Sequence, residues 1–406
     1  MEHSIIIVGA GPGGAAAAVR LGQRGIKNVL LLDRDDFPRA KTCGSGLSPN
    51  ALKVIDELGI GAEVRQQGYP IHSLILTTPG RRQIQLRTEQ AATILLREQF
   101  DNLLVERAKH LGIEFRGGMK AQALVREGGR VVGVRAGGEE LRSKHVLCAD
   151  GAHSIFSWDP RPKRTISALM GWWENFAFEP GTLEMIFDKN LSPLYGWLFP
   201  ETADRVNIGI CMDGEDASGN KTTRNVRQVF DRFLDDHFAD RLIKARQIGK
   251  LKGHPISYCT WIKDATTPGA IYLGEGARIT HNTTGEGIFQ AMLSGTYAGD
   301  AAADVVDGKL TERAAWQGFE WRCRKRFTLG FIGGHALRWA LKTPLLDGIA
   351  TAYNSPLKQA ITWAIASSLA GSTMTEQKAR PRNRSSPSPS PTRSTTTQID
   401  HVITST

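Results

Sequence analysis

Apolar and polar positions along this chain follow two alternating rhythms. Ile5-Ile6-Ile7-Val8 and Val29 to Leu32 are short, continuous apolar runs of the kind buried strands show. The small-residue stretch between them, from about Gly14 to Gly25, has helical spacing, so the first segment is predicted to be a βαβ unit. Helical spacing returns at Asn50 to Leu58 and at Leu96 to Leu111, where Phe100, Leu103, Leu104, Ala108 and Leu111 recur as one face. A period of two marks Ser73 to Thr77 and Gln83 to Leu86 as sheet. Hairpin-like strands are predicted near Ala121 to Val134, and His145 to Ala149 is an apolar strand. From Thr165 to Met212 the pattern is mostly strand and rich in aromatics. Helices follow over Asn225 to Phe238 and again after Gly285. No internal repeat interrupts this order.

Composition refines the picture only slightly. The 406 residues are 41% hydrophobic and 23% charged, which predicts two closely packed subdomains or one large α/β unit. Met374 to Thr406 is rich in Ser, Thr, Pro and Arg with few apolar residues, and is predicted to be disordered. The five cysteines are scattered and form no CxxC pair, which fits a reducing, cytoplasmic setting and argues against a zinc site or a disulfide framework. The N-terminus lacks the basic and apolar regions of a secretory signal, and no uncharged apolar run reaches the roughly 18 residues of a membrane span. A net charge of +10 invites a nucleic-acid reading, but residues from Met374 on contribute five Lys/Arg against two Asp/Glu, or +3 of it. Another part clusters at Arg322, Arg324, Lys325 and Arg326 among Trp316, Phe319, Trp321 and Phe327. No nucleic-acid-binding module accompanies that charge. A solvated basic helix face or a peripheral contact with anionic lipid explains it.

The strongest chemical signal is GAGPGGAAAAVRLGQRG, Gly9 to Gly25. Gly9, Gly11 and Gly14 have GxGxxG spacing between a strand and a helix, and Asp33 closes the second strand 24 residues beyond Gly9. Gly9 permits the tight turn, Gly11 lets backbone amides approach a pyrophosphate, and Gly14 lets helix and strand pack closely. The helix N-terminus favours the phosphates, and Asp33 is placed to accept from ribose hydroxyls. The segment is predicted to bind a dinucleotide.

Two further motifs resemble the flavoprotein monooxygenases of the p-hydroxybenzoate hydroxylase type. LCADGAHS, Leu147 to Ser154, resembles their Asp-Gly motif, with Asp150 and Gly151 in the key places. IYLGEGARITHNTTGEGIFQ, from Ile271, resembles their second FAD motif, with Glu275 in place of the usual Asp and a Gly285-Glu286-Gly287 turn opening a helix. The resemblance also places Arg97, at the start of the Leu96 to Leu111 helix, at the FAD. It runs from residue 1 to about residue 310. Within the superfamily, RAKTCGSGLSP (Arg39 to Pro49) and SPLYGWLFP (Ser192 to Pro200) resemble the geranylgeranyl reductase branch. That branch carries a Lys-x-Cys-Gly loop beside the flavin and a Tyr-x-Trp-x-Phe-Pro strand in the substrate cavity. The resemblance therefore implies Cys43 as the active-site cysteine, although an inert packing cysteine fits the residues alone. Tyr195, Trp197 and Phe199 share one face of a strand, which is either core or the wall of an apolar cavity, and the resemblance favours the cavity. Trp172 and Trp173 are candidates for a further wall. Arg278 stands where glycine is usual, and Asn282 replaces a common proline. The arginine that often follows the Asp-Gly motif is absent.

The fold expected is thus α/β, with a Rossmann-like FAD-binding domain over 1–75, 97–160 and 261–310. A mixed β-sheet substrate domain is expected over 76–96 and 161–260, C-terminal helices over 311–373, and the tail over 374–406. FAD is the cofactor implied, with no metal, and with NADH or NADPH as electron donor directly or through a separate flavin reductase. The substrate expected is a lipophilic small molecule. Two reactions compete on this framework. One is monooxygenation, hydroxylation or epoxidation of a prenylated aromatic or polycyclic metabolite through a flavin C4a-hydroperoxide. The other is reduction of isoprenoid double bonds. The sequence reading leans to the first.

Overall fold

The structure is a computed structural model that describes residues 2–156, 164–214 and 224–353. The predicted disordered tail and the last part of the predicted C-terminal helical segment lie outside the described residues. In chain order the elements are β1 (Glu2–Val8), α1 (Pro12–Gln23), β2 (Val29–Leu32), β3 (Gly46–Leu47), α2 (Pro49–Leu58), α3 (Gly61–Gln67), β4 (Tyr69–Thr77) and β5 (Gln83–Ile94). Then come α4 (Arg97–His110), β6 (Glu114–Arg116), β7 (Ala121–Glu127), β8 (Arg130–Ala136), β9 (Glu139–Cys148), β10 (Arg164–Glu174), β11 (Thr182–Ile186), β12 (Gly196–Pro200) and β13 (Arg205–Asp213). The rest are α5 (Val226–Leu242), β14 (Arg246–Tyr258), β15 (Thr266–Thr267), β16 (Ala270–Tyr272), a 3-10 turn (Gly274–Ala277), α6 (Ile288–Val306), α7 (Glu312–Ala340) and α8 (Leu345–Ala352).

The first sheet has the order β15-β16-β9-β1-β2-β6, with the β7–β8 hairpin joined to β9. β1 pairs in parallel with β2 (Ile5 opposite Val29) and with β9 (Ile7 opposite Leu147). β1 beyond its first residues and β2 are buried on both faces, which is why they read as unbroken apolar runs. Helix α1 starts at Pro12, before the expected Gly14, because Gly11 caps it and proline is tolerated in the first turn. α1 and α6 pack through small residues: a Cβ on Gly295 would lie 2.0 Å from the Gly13 carbonyl oxygen.

The second sheet has the order β14-β10-β13-β12-β11-β4-β5-β3 and is antiparallel apart from the β11–β4 pair. The expected domain break at residue 76 falls inside β4, which enters this sheet at Tyr69, where it pairs with Ile94 of β5. The strand is expected only from Ser73, but its alternation already runs from Pro70, with Pro70 and His72 exposed and Ile71 and Ser73 buried. One face of this sheet packs on α5 through Phe230, Phe233 and Phe238. The opposite face carries Tyr195 and Trp197 and is closed by Leu337 and Leu341 of the α7 region and by Tyr353 beyond α8.

Candidate active site

The βαβ turn is built as its glycines require. Gly9 has φ +96°, and a Cβ there would meet the Ala149 carbonyl oxygen at 2.4 Å. A Cβ on Gly14 would lie 1.9 Å from the Gly9 carbonyl oxygen, so α1 can approach β1 only with glycine here. Asp33 follows β2, is buried, and is fixed by the Ala10 amide donating to Oδ2 at 2.7 Å and the Asp35 amide donating to Oδ1 at 3.1 Å.

In front of this turn the expected Arg97 meets two charges that the sequence did not single out, Asp101 and Arg39. Arg97 donates twice to Asp101, Nε to Oδ1 and Nη2 to Oδ2, both at 2.7 Å. Arg39 Nη1 lies 3.2 Å from the same carboxylate, which is fully buried. Burial lowers the Arg97 pKa, but the charge and hydrogen bonds of Asp101 outweigh that and the net shift is upward. A Cβ on Gly11 would enter a space bounded by Nη2 of Arg39 and Nη2 of Arg97, each 3.9 Å away. Two guanidiniums share the Asp101 carboxylate, and Arg39 Nε also lies 3.9 Å from Asp33 and from Asp35, so both arginines are fixed in front of the N-terminus of α1, where a pyrophosphate finds donors. The cradle, the carboxylate after β2 and the two arginines fit FAD. Arg39 and Asp101 would hold it alongside the expected Gly9, Gly11, Gly14, Asp33 and Arg97.

The other expected cofactor residues converge on the same end of the first sheet. Asp150 Oδ2 accepts from the Ile155 amide at 3.1 Å, and Gly151 has φ +79°. A Cβ on Gly276 would lie 3.1 Å from Asp150 Oδ1, which places the Asp-Gly turn against the second motif. Glu275 Oε1 accepts from the Ser257 amide at 2.9 Å, joining that motif to β14. Arg278 adopts φ +59°, the left-handed conformation that explains why glycine is usual there. Gly285 has φ +65° and Gly287 caps α6. Between them Glu286 is half-buried, desolvation raises its pKa, and its carboxylate accepts from Ser48.

Cys43 is half-buried, and its Sγ accepts from the Ser45 amide at 3.3 Å. Arg97 also hydrogen-bonds it. The next residue touches the second sheet: a Cβ on Gly44 would lie 3.1 Å from the Phe199 ring and 3.4 Å from Trp197 Nε1. Tyr195, Trp197 and Phe199 do line one face, with ring centroids 6.3 and 6.0 Å apart along the series. Tyr195 donates to the Thr284 carbonyl at 2.5 Å, tying the strand to the Gly285 turn. Burial drives its pKa well upward, with Cys211, Glu286 and Cys43 adding to it. Trp197 is more deeply built in than a ligand wall requires, because its Nε1 donates to buried Asn207 at 2.7 Å and its ring covers Gly209. The two neighbouring tryptophans separate: Trp172 lies on the aromatic-strand side and donates to Glu201 at 2.9 Å, whereas Trp173 packs on Phe230 beneath α5.

A second pair went unread in the sequence. Lys41 Nζ lies 2.9 Å from His254 Nε2, bridging the cysteine loop and β14. Burial and the nearby Arg97 push Lys41 down to about 8. Burial and Lys41 push His254 down to about 3, so at neutral pH a cationic lysine donates to a neutral imidazole. The Lys-x-Cys spacing held the only sequence signal. Nothing along the chain links it to a histidine 213 residues away.

Comparison with known proteins agrees with this geometry. Residues 2–160 match the family described as FAD binding domain, and residues 165–253 match the geranylgeranyl reductase catalytic domain. Digeranylgeranylglycerophospholipid reductase 1 of Methanopyrus kandleri is 25% identical, over 80% of this chain and 87% of its own length. The digeranylgeranylglycerophospholipid reductase of Thermoplasma acidophilum is 26% identical over 84% and 87%. A geranylgeranyl bacteriochlorophyll reductase-like protein from Thermoplasma acidophilum superposes with a TM-score of 0.77 at 24% identity, covering 90% of this chain and 96% of that one. A flavin-dependent brominase shares the fold at TM-score 0.74 and 18% identity, over 90% of this chain and 94% of its own. Fold, phosphate cradle and family match define the class: the chain is a FAD-dependent oxidoreductase of the p-hydroxybenzoate hydroxylase-like superfamily. Within that superfamily it is similar to the geranylgeranyl reductase-like branch, through residues 165–253 and through the reductases named above.

Proposed function

We propose that this enzyme reduces double bonds of an isoprenoid chain carried on a lipophilic head group. One observation carries the reading: Gly44, beside Cys43, packs on Trp197 and Phe199, so the cofactor half and an aromatic wall meet at the cysteine loop. An uncharged olefin is held by such a wall and needs no ionic anchor. The reductase names of the relatives tip the choice between oxygenation and reduction toward reduction, against the lean of the sequence reading.

When bound and reduced, FAD supplies a hydride to one olefinic carbon and is left oxidised. The chain's own residues exclude water from this meeting point and hold the olefin across Tyr195 and Phe199. They also deliver the proton that the other carbon requires. Lys41 is assigned as its source, since it is a half-buried ammonium beside the cysteine loop and His254 accepts one of its hydrogens and so fixes its direction. Cys43, held by the Ser45 amide and by Arg97, positions the loop against the substrate face.

The test uses FAD-loaded enzyme reduced with dithionite under argon, which bypasses NADH, NADPH and any separate reductase. Mixed with a geranylgeranylated glycerophospholipid, it is expected to regain oxidised-flavin absorbance without O₂ and to yield lipid heavier by two hydrogens per double bond. Reoxidation only after O₂ is admitted, with one oxygen atom gained by the lipid, would establish oxygenation and sink this reading. Cys43→Ser is expected to keep FAD and slow the anaerobic reoxidation.

A further inference from the structure

Helix α7 has two apolar faces where a surface helix ordinarily has one. Its inner face follows Trp316, Phe319, Cys323, Phe327 and Phe331 into the core. Its outer face carries Trp321, Leu329, Ile332 and Trp339, which are 58%, 70%, 55% and 68% exposed. Steps of eight, three and seven residues return each of these to one side of a 3.6-residue helix, so they form a stripe about 27 Å long at 1.5 Å per residue.

Within the segment that carries the stripe, the charge has a single sign. Residues 321–346 hold Arg322, Arg324, Lys325, Arg326, Arg338 and Lys342 and no Asp or Glu. Arg322, Arg324 and Arg338 are turned to Asp300, Glu320 and Asp213. Lys325 and Lys342 are exposed beside the stripe, and Lys325 Nζ stands 4.9 Å over the Trp321 ring. Tryptophan at both ends, aliphatic residues between them and lysines alongside are what a helix lying in an anionic lipid interface presents. The same helix closes the site from outside: Thr283, in the turn that follows Asn282, donates to the Gly334 carbonyl at 2.7 Å, and Leu337 and Leu341 join the aromatic-strand cluster.

We infer that the outer face of α7 docks this enzyme on an anionic bilayer surface, with the stripe Trp321, Leu329, Ile332 and Trp339 lying among the headgroups. The docking rests on this surface alone and holds whichever reaction the site performs. Under the reductase reading it brings the aromatic cluster to within about one helix diameter, roughly 10 Å, of the lipid.

Flotation of the full-length holoenzyme with vesicles tests this. Vesicles of equal parts phosphatidylcholine and phosphatidylglycerol are expected to carry the protein, vesicles of phosphatidylcholine alone far less, and added salt to release it. Leu329→Ser combined with Trp339→Ser is expected to weaken binding about tenfold or more. FAD content, melting temperature and turnover of detergent-dispersed substrate should stay unchanged. Lys325→Glu with Lys342→Glu leaves the apolar stripe whole and is expected to weaken binding to the mixed vesicles only. Wild-type protein that stays at the bottom of the gradient, or a Leu329/Trp339 variant that floats as well as wild type, overturns the inference. So does a wild-type dimer in light scattering that the same variant splits, because a second copy would then cover the stripe.

Discussion

A side chain at position 11 would enter the space in front of α1 that the two guanidiniums bound. Gly11→Val is therefore expected to abolish FAD binding, with the purified protein colourless and taking up no FAD on titration, because the isopropyl group occupies the phosphate position. Lys41 supports a prediction with a definite sign. Its pKa falls from 10.5 in the unfolded chain to about 8 in the fold, so between those values the unfolded state binds the extra proton. Its contribution thus makes stability rise with pH across that window, and Lys41→Met is expected to flatten the rise in denaturant titrations. The anaerobic reduction step is expected to fall above about pH 8 in the wild type as the ammonium is lost, and Lys41→Met should be slow with no such limb. A Lys41→Met profile that kept the wild-type limb would remove Lys41 from the proton transfer. At this scale Gly9, Gly11, Gly14 and Asp33 were legible because their spacing is itself the signal. Arg39, Asp101 and His254 were not, since a single charged residue has no period and takes its meaning only from what folds against it.

Elements are positioned by close backbone approach as much as by apolar faces. Gly295→Val would drive a side chain into the Gly13 carbonyl and push α6 away from the helix that forms the phosphate cradle. Overpacking of this kind costs about 1–3 kcal/mol or more. A melting temperature lower by several degrees, together with weaker FAD retention, is expected. Gly318, on α7 with open space around its Cβ position, is the control. Gly318→Ala should be neutral or stabilising by up to about 1 kcal/mol, since alanine favours the helix. Equal losses in the two variants would show that close α1–α6 contact is unimportant. Element type followed from periodicity wherever a face was long and regular, as in α4, α5 and β9. Boundaries were displaced where a capping glycine or a proline stands at the start of an element, as at Pro12 of α1 and beside Pro70 of β4. The outer stripe of α7 was seen in the sequence only as aromatics mixed with basic residues, because two interleaved apolar faces on one helix blur into a single hydrophobic run.

On the scale of the whole molecule, residues 374–406 hold +3 of the +10 net charge and little apolar material. Removing them is expected to leave FAD content, melting temperature and turnover of detergent-dispersed substrate unchanged, because such a composition cannot offset its ordering entropy. Loss of flavin in the truncated protein would show that the tail belongs to the folded body. The sequence alone determined the α/β class and the dinucleotide turn, while FAD and the reductase-like branch entered through the resemblance of its motifs to a known family. Each of those signals is written within a few tens of residues, where strand and helix periods and glycine spacing operate. Tertiary structure decided which residues form one site. It set Gly44 on Phe199, turned two arginines to one buried aspartate and brought Lys41 to His254 across 213 residues. It also sent Trp172 and Trp173 to opposite sides of the second sheet. Those outcomes depend on sheet order, register and helix packing, and the burial that shifts a lysine to about 8 exists only once distant segments have excluded water from it.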